Sequence, residues 1–427
     1  MRHPYQKTVL SNGVRVVSHD MKDRDSAAIG IWVDAGGRQE ELRFKGAAHF
    51  LEHIVFKGSE KYSCAEIKGN IEGVGGSLNA FTSEEITCYY AKIPVRHLPK
   101  TLDILADMTL RPKMASKEVE KERGVIIEEI KMYRDLPQYF VIELLDELMW
   151  PDHPLGVNLA GSTETVSRID RAVLKNFHRR YYSARHVVVA ACGAVSHRSL
   201  VKFAQTHLGR LDAYDVPPYL PALTILDHAE IKTFHKPIEQ MHVAIGFPGL
   251  PDQHKDRYVL NMLHVILGGN MSSRLFHEVR EKRGLAYSIS TSVKYLHDTG
   301  LFLIRAGVDN RKLIEAVSII LKELKRIKHH GLAQAEFRRA KEYYRGQVIL
   351  GLEDTLDHMF WMGEALVSRD ELYSLSEVLA RINRVTIDDI QRVAQAILQP
   401  HRLRLAVVGP VDDLVKRRLK KCLDDDS

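Results

Sequence analysis

The spacing of hydrophobic and polar residues changes along the chain, and these changes predict where strands and helices lie. Residues 1–20, "MRHPYQKTVLSNGVRVVSHD", alternate with the period of two that is typical of strands, and "SNG" predicts a turn between them. In residues 46–58, "GAAHFLEHIVFKG", apolar residues instead recur at helical spacing, which predicts an amphipathic helix. The faces of this helix that we expect to be buried carry Phe50, Leu51, Ile54 and Val55.

The chain also contains a weak internal repeat. The segment "GGSLNAFTSEEITCYYAKIPVRHLPKTLDILADM" begins at Gly75, and "RGLAYSISTSVKYLHDTGLFLIRAGVDNRKLIEAVSIIL" begins at Arg283. Each predicts a glycine-marked turn, two strands, a short break and an amphipathic helix. Segments beginning at Ser167 and Ala380 form a second pair, in which a helix is followed by a turn, an apolar strand and a glycine. The repeat period of roughly 210 residues indicates duplication of a whole domain.

A proline-containing stretch separates the two halves. Residues 211–230, "LDAYDVPPYLPALTILDHAE", predict an extended linker between an N-terminal domain of residues 1–210 and a C-terminal domain of residues 231–427. Each half mixes period-two strands with long helices that do not alternate strictly with them. This favours an α+β fold of two homologous α/β-sandwich domains, in which helices pack on a mostly antiparallel sheet. We expect two such domains to enclose a cavity.

Composition narrows the class of protein. Of the 427 residues, 45% are hydrophobic and 27% are charged, as in soluble globular proteins, and no apolar run is long enough to span a membrane. The net charge of +6 is mild, and the basic run at 416–421 lacks interleaved aromatics, so we expect no nucleic-acid partner. The N-terminus shows no signal-peptide or transit-peptide pattern, which predicts a cytoplasmic, bacterial-type location.

The stretch "HFLEH" is the first candidate for chemistry. His49 and His53 are four residues apart, so they lie on one face of a helix and can bind one zinc ion together. Glu52 would lie beside that ion without being a ligand, where it could take a proton from a zinc-bound water. In a random sequence, however, such a motif is more often a pair of packed or exposed histidines.

A third ligand has to come from elsewhere in the chain. The segment "SKEVEKERGVIIEEIKMYRDLP" predicts a long helix that begins near Ser116 and ends before Pro137. Glu122 and Glu129 are seven residues apart and share one face of that helix, whereas Glu128 points elsewhere. Spacing alone does not choose among the several carboxylates of this helix, which could also form a solvated acidic face.

The combination of "HFLEH" with "ERGVIIEE" resembles the pitrilysin and mitochondrial-processing-peptidase family of zinc peptidases, the inverzincins with H-x-x-E-H. The resemblance covers nearly the whole chain and is closest to the processing-peptidase branch of about 420 residues. It implies that His49, His53 and Glu129 bind Zn²⁺ and that Glu52 and Glu122 are catalytic, with Glu122 orienting a ligand or balancing charge.

The same resemblance implies where substrate binds. "GGSLNAFTSEEITCYY" is similar to the edge strand of the family, so Asn79 and Ala80 are expected to contact the main chain of an extended peptide. "GGNMSSRLFHEVREKRGLAYSIS" resembles a C-terminal-domain segment that contributes Arg280 and Tyr287 to the substrate site. Without the resemblance, these residues would be read as an ordinary hairpin, a surface arginine and a strand aromatic.

The second half has no counterpart of the metal motif. Its matching segments, "YVLNMLHVILGG" and "RRAKEYYRGQV", lack HxxEH and carry Gln347 opposite Glu129, so we expect one zinc ion per chain. The sequence thus predicts a zinc-dependent metalloendopeptidase that cleaves extended or unstructured peptides, using a zinc-bound water activated by Glu52. Relatives of this length pair, so the resemblance implies a homodimer, or otherwise a heterodimer.

Two other functions remain open at this point. The chain could be a non-catalytic or partner-dependent subunit or scaffold of the same fold, although such a subunit would be free to lose the metal motif. It could also be a peptide-binding module with structural zinc, although structural sites usually have four protein ligands.

Overall fold

A computed structural model describes residues 4–222 and 226–424. The chain forms two compact units, each assembled from three segments. The first unit consists of Met1–Ile130, Asn158–Leu220 and Ile349–Ser374. The second consists of Lys131–Val157, Pro221–Val348 and Leu375–Ser427. A single division at 211–230 would instead place residues 131–157 in the first unit and residues 349–374 in the second. The domain bounds drawn from the sequence stay a prediction.

The strands form one sheet in each unit. The first unit contains β1 (Tyr5–Val9), β2 (Arg15–Asp20), β3 (Ser26–Val33), β4 (Ser77–Thr82), β5 (Thr87–Pro94) and β6 (Val187–Gly193). The second contains β7 (Glu230–His235), β8 (Gln240–Pro248), β9 (Ala286–Tyr295), β10 (Gly300–Asp309) and β11 (Arg404–Gly409). The alternation in residues 1–20 corresponds to β1 and β2, which pair antiparallel.

The two sheets share one topology. The first has the strand order β1-β2-β6-β3-β5-β4, and the second has the order β7-β11-β8-β10-β9. In each, one parallel pair (β2 with β6, β7 with β11) is followed by antiparallel pairs. Without β1, the first sheet matches the second strand for strand, so the predicted duplication and the α+β class are confirmed.

The helices account for most of the remaining chain. Those before the end of β6 are α1 (Ala47–Val55), α2 (Cys64–Glu72), α3 (Leu98–Leu110), α4 (Ser116–Asp135), α5 (Pro137–Met149), α6 (Thr163–Arg168) and α7 (Arg171–Tyr181). Those after it are α8 (His197–Leu208), α9 (Arg257–Gly268), α10 (Leu313–His330), α11 (Gln334–Leu350), α12 (Thr355–Arg369), α13 (Leu375–Arg384), α14 (Ile387–Ile397) and α15 (Asp413–Asp424). The helix predicted between Ser116 and Pro137 is α4.

The first sheet is covered on both faces, which explains the nearly continuous apolar sequence of β3, "SAAIGIWV". Alternate residues of β3, such as Ile29 and Ile31, belong to the large core built with α1 to α4, α7 and α8. The residues between them, such as Trp32, pack instead against Met359 and Met362 of α12. The period-two geometry of the strand therefore serves two apolar layers.

In the second unit, α5 covers one face of the sheet. Val141 and Leu145 of this helix pack in one cluster with Ala244 of β8 and Ala406 of β11. Gly246 of β8 lies under Leu145, where an added Cβ would come within 3.2 Å of its methyl groups. Among the described residues, no helix is both long and apolar enough to cross a membrane.

Candidate metal centre and active site

The site begins with the way α1 starts. Gly46 precedes the helix with φ +100°, and a Cβ there would lie 2.5 Å from the carbonyl oxygen of Ala160. The buried carboxylate of Glu40 accepts hydrogen bonds from the backbone N–H groups of Gly46 and Ala48, at 3.1 and 2.6 Å. Lys45 pairs with the same carboxylate at 3.2 Å. These contacts satisfy free donors of the first turn and set the direction of the helix.

The core then orients α1 about its axis. Phe50, Leu51, Ile54 and Val55 are fully buried, as the sequence predicted. His49 and His53 consequently lie together at the edge of the core, with ring centroids 4.7 Å apart. Their side chains are 13% and 21% exposed, so both rings remain accessible from one side.

Helix α4 brings Glu129 to the two imidazoles. Its Oε2 lies 3.8 Å from Nε2 of His49 and 3.5 Å from Nε2 of His53. One donor atom from each residue lies within 4.8 Å of the other two, and this is the group of potential metal ligands found among the described residues. Glu128, one position earlier, is exposed and not part of the group.

The donor set fits a zinc ion. Two imidazole nitrogens and one carboxylate oxygen form a ligand set of catalytic zinc, in which a fourth position stays open. Burial, followed by the nearby His53, lowers the pKa of His49 to about 4, which keeps this imidazole neutral and able to ligate at neutral pH. In the described residues the second unit offers no such group.

Glu52 faces the same region from α1. One of its carboxylate oxygens accepts a hydrogen bond of 2.5 Å from the hydroxyl of Thr82, at the end of β4. Burial raises the pKa of Glu52, and this effect outweighs the opposing hydrogen bond from Thr82. A carboxylate with raised basicity, held by a hydroxyl beside a potential metal site, is suited to exchange protons with a water there.

Glu122 lies behind His53, seven residues or about two turns before Glu129 on α4. It is 4% exposed, and its Oε1 lies 3.1 Å from Nδ1 of His53. Its Oε2 lies 2.6 Å from the ammonium group of Lys57. Burial by itself would raise the pKa of Glu122, but hydrogen bonds with Lys57 and His53 lower it overall. Sequence reasoning did not single out Lys57, although its position four residues after His53 was an available signal.

The residues expected to contact peptide lie on β4. This strand occupies one edge of the first sheet and pairs with β5, so its outer side is free of strands in the described part of the chain. Asn79 is exposed, and its side-chain oxygen accepts a hydrogen bond from the backbone N–H of Ala80 at 2.8 Å. Because Thr82 of the same strand contacts Glu52, the edge leads directly to the candidate acid–base residue.

Arg280 and Tyr287 lie together in the second unit. Arg280 belongs to a π-helical turn, Phe276–Glu281, and Tyr287 is at the start of the edge strand β9. The guanidinium carbon of Arg280 is 5.6 Å from the centre of the Tyr287 ring, and Tyr287 is 74% exposed. Their participation in a substrate site stays a prediction.

Two family models match the chain. The model described as "Insulinase (Peptidase family M16)" matches residues 15–163, which contain the metal group. The model described as "Peptidase M16 inactive domain" matches residues 168–344. Together they cover more than half of the sequence and assign both halves to one family.

Relatives match over nearly their full length. An uncharacterized zinc protease of Streptomyces coelicolor is 37% identical, over 97% of this chain and 91% of the relative. An uncharacterized zinc protease of Bacillus subtilis is 35% identical, over 95% of this chain and 98% of the relative.

Solved structures share the fold. A protease from Helicobacter pylori matches with a TM-score of 0.89 and 25% identity, over 95% of this chain and 99% of that one. A peptidase M16 inactive domain from Pseudomonas fluorescens has the same TM-score with 18% identity, over 96% and 98% of the two chains, which indicates the fold alone. The resemblance to the pitrilysin family is therefore confirmed, and the chain belongs to peptidase family M16, the insulinase family.

Proposed function

We propose that the protein is a zinc-dependent endopeptidase that cleaves extended or unstructured peptides. The observation that carries the proposal is the convergence of His49, His53 and Glu129 within 4.8 Å, with Glu52 directly before His53 on the same helix. The relatives are named as zinc proteases, which supports zinc as the metal.

The residues have distinct roles in this proposal. His49, His53 and Glu129 would hold the ion, which when bound would polarise the peptide carbonyl and lower the pKa of a water molecule to about 7. Glu52 takes a proton from the attacking water and passes it to the leaving amine. Its raised pKa supports both steps, because a group that is too weak a base would not accept the proton.

The free edge of β4 supports an extended substrate. A peptide that adds to this edge would gain main-chain hydrogen bonds near Asn79 and Ala80, and folded proteins could not present such a strand. The side chain of Asn79 would have to release the N–H of Ala80 for a peptide to use that donor. We include Arg280 and Tyr287 as substrate-binding groups that help stabilise the oxyanion, supported by their mutual contact and the exposure of the tyrosine.

The test is hydrolysis of a mixed pool of unstructured peptides by the zinc-loaded protein, followed by mass spectrometry. Wild type is expected to generate fragments, and Glu52→Gln to reduce their rate of appearance by about 100-fold or more, since it removes the acid–base group. A chelator should abolish cleavage, and added zinc should restore it.

The control separates catalysis from metal binding. Glu52→Gln should still bind one zinc ion per chain, measured by metal analysis, because Glu52 is not among the proposed ligands. Absence of cleavage by zinc-loaded wild type would contradict the proposal and favour a partner-dependent subunit or a scaffold. Light scattering of the same preparation tests the expected homodimer.

A further inference from the structure

We propose that Lys57 is a positioning residue of the metal centre, which holds Glu122 against Nδ1 of His53 so that Nε2 of His53 faces Glu129. The proposal rests on the zinc site of the proposed function, and it assigns a role to a side chain outside the ligand set.

Four side chains form a continuous series of polar contacts. The ammonium of Lys57 lies 2.6 Å from Oε2 of Glu122, and Oε1 of Glu122 lies 3.1 Å from Nδ1 of His53. On the other side of the ring, Nε2 of His53 lies 3.5 Å from Oε2 of Glu129. The two oxygens of Glu122 thus have separate partners, and a histidine that donates its Nδ1–H to a carboxylate presents Nε2 as the ligand.

Burial explains why the carboxylate needs a cation. Glu122 is 4% exposed, so its charge is largely removed from solvent. A buried carboxylate without a partner for one oxygen is costly, and it will rotate toward any other donor or toward solvent. Lys57 supplies the opposite charge, with its ammonium group 2.6 Å from Oε2 of Glu122.

The backbone holds Lys57 in place. Its N–H donates to the carbonyl of Ile54 at 3.0 Å, just beyond the end of α1. Gly58 follows with φ +127°, and its carbonyl accepts a hydrogen bond of 3.0 Å from the N–H of Lys113. The chain is therefore tied on both sides of Lys57, whose side chain is 25% exposed, so its contact with Glu122 requires little further ordering.

The first measurement is zinc affinity, obtained by competition with a chromophoric chelator. Lys57→Met should weaken zinc binding about 10- to 100-fold, as loss of a contact behind a ligand typically does. Lys57→Arg, which keeps the charge and can still reach Glu122, should recover most of the loss. Lys61→Met is the matched control, because Lys61 pairs with Asp103 at 2.9 Å and not with Glu122.

The second measurement reports on His53 without metal or activity. Long-range ¹H–¹⁵N correlation spectra of the metal-free protein, assigned with His53→Gln, distinguish the two tautomers of the ring. Wild type should show the proton on Nδ1, and Lys57→Met should show a substantial fraction with the proton on Nε2. A purely structural contribution of Lys57 would lower the unfolding midpoint without changing the tautomer.

The outcomes are separable. If wild type binds zinc and Lys57→Met has the same affinity and the same tautomer, the positioning role is wrong while the proposed function stands. If wild type binds no zinc, both the proposed function and the inference are overturned. Should Lys57→Met fail to fold, Lys57→Gln replaces it in both measurements, with the same expected result.

Discussion

At the scale of single residues, the site depends on differences between neighbours in the sequence. Glu128 and Glu129 are chemically identical, but a helix turns by about 100° per residue, so only one of them can face α1. Glu129 does so, and Glu128 is exposed. The helical period thus narrowed the candidate carboxylates for a third metal ligand. Their distance from the histidines of α1 follows only from the packing of the two helices.

The first prediction concerns this pair. Glu129→Gln should weaken zinc binding by more than about 100-fold, because loss of a ligand exceeds the 10- to 100-fold effect of the groups behind ligands. Glu128→Gln should bind zinc as wild type does. Metal analysis after dialysis against a weak chelator measures both, and equal losses in the two variants would contradict the assignment.

At the scale of elements, the start of α1 sets the position of the histidines. The positive φ of Gly46 allows the chain to enter the helix beneath Ala160, where no side chain fits. At the other end of the site, β4 is the last strand in the order of the first sheet and therefore forms its edge. Glycine spacing and the strand pattern were visible in the sequence, whereas the close approach of Ala160 was not.

The second prediction tests this entry into α1. Gly46→Ala should lower the free energy of unfolding by more than about 1 kcal/mol, because alanine is strained at positive φ and its Cβ would meet the carbonyl oxygen of Ala160. Gly69→Ala, within α2, meets nothing within 4 Å and should raise stability by about 0.5–1 kcal/mol. Urea unfolding measures both, and a shift of the same sign in the two variants would be the contrary result.

At the scale of the whole molecule, the order of elements along the sequence differs from their grouping in space. Helix α12 belongs to the last third of the chain but covers the first sheet, where Met359 approaches Gly30 and Gly363 lies against the indole of Trp32. Likewise α5, from the first half of the sequence, packs on β8 and β11. An apolar face predicts that something covers it but not which segment does, because the hydrophobic effect is non-directional.

The third prediction concerns the contribution of α12 to the loss of folding stability at acid pH. His358 on this helix is buried, its ring lies 4.8 Å from that of His19, and burial together with His19 lowers its pKa to about 4. Between pH 6.5 and about 4 the unfolded chain binds this proton and the folded chain does not, so stability falls as pH falls. His358→Phe should remove this component, about 2 to 3 kcal/mol over that window.

Unfolding midpoints in urea at pH 7 and at pH 4.5 test this prediction. The loss of stability between the two values should be smaller in His358→Phe than in wild type. The exposed His401 provides the control, since His401→Gln should leave the pH dependence unchanged. An identical pH dependence in wild type and His358→Phe would show that α12 does not contribute to acid sensitivity.

The sequence alone was sufficient to predict the features that depend on local periodicity and on residue identity. It gave the strand and helix periods, the duplicated half with its shared order of elements, the pairing of His49 with His53 on one helical face, and, through a family resemblance, the choice of Glu129. These follow from backbone geometry, which is the same wherever the element lies.

The folded structure was needed to show which elements meet. It placed Thr82 on Glu52, Lys57 on Glu122, and α12 on the first sheet. Contacts of this kind join residues distant in sequence, and they depend on how large apolar surfaces pack at close to crystalline density rather than on any local pattern. The candidate metal centre depends on both: its two histidines lie on one helix, and its carboxylates reach them through the packing of a second helix against the first.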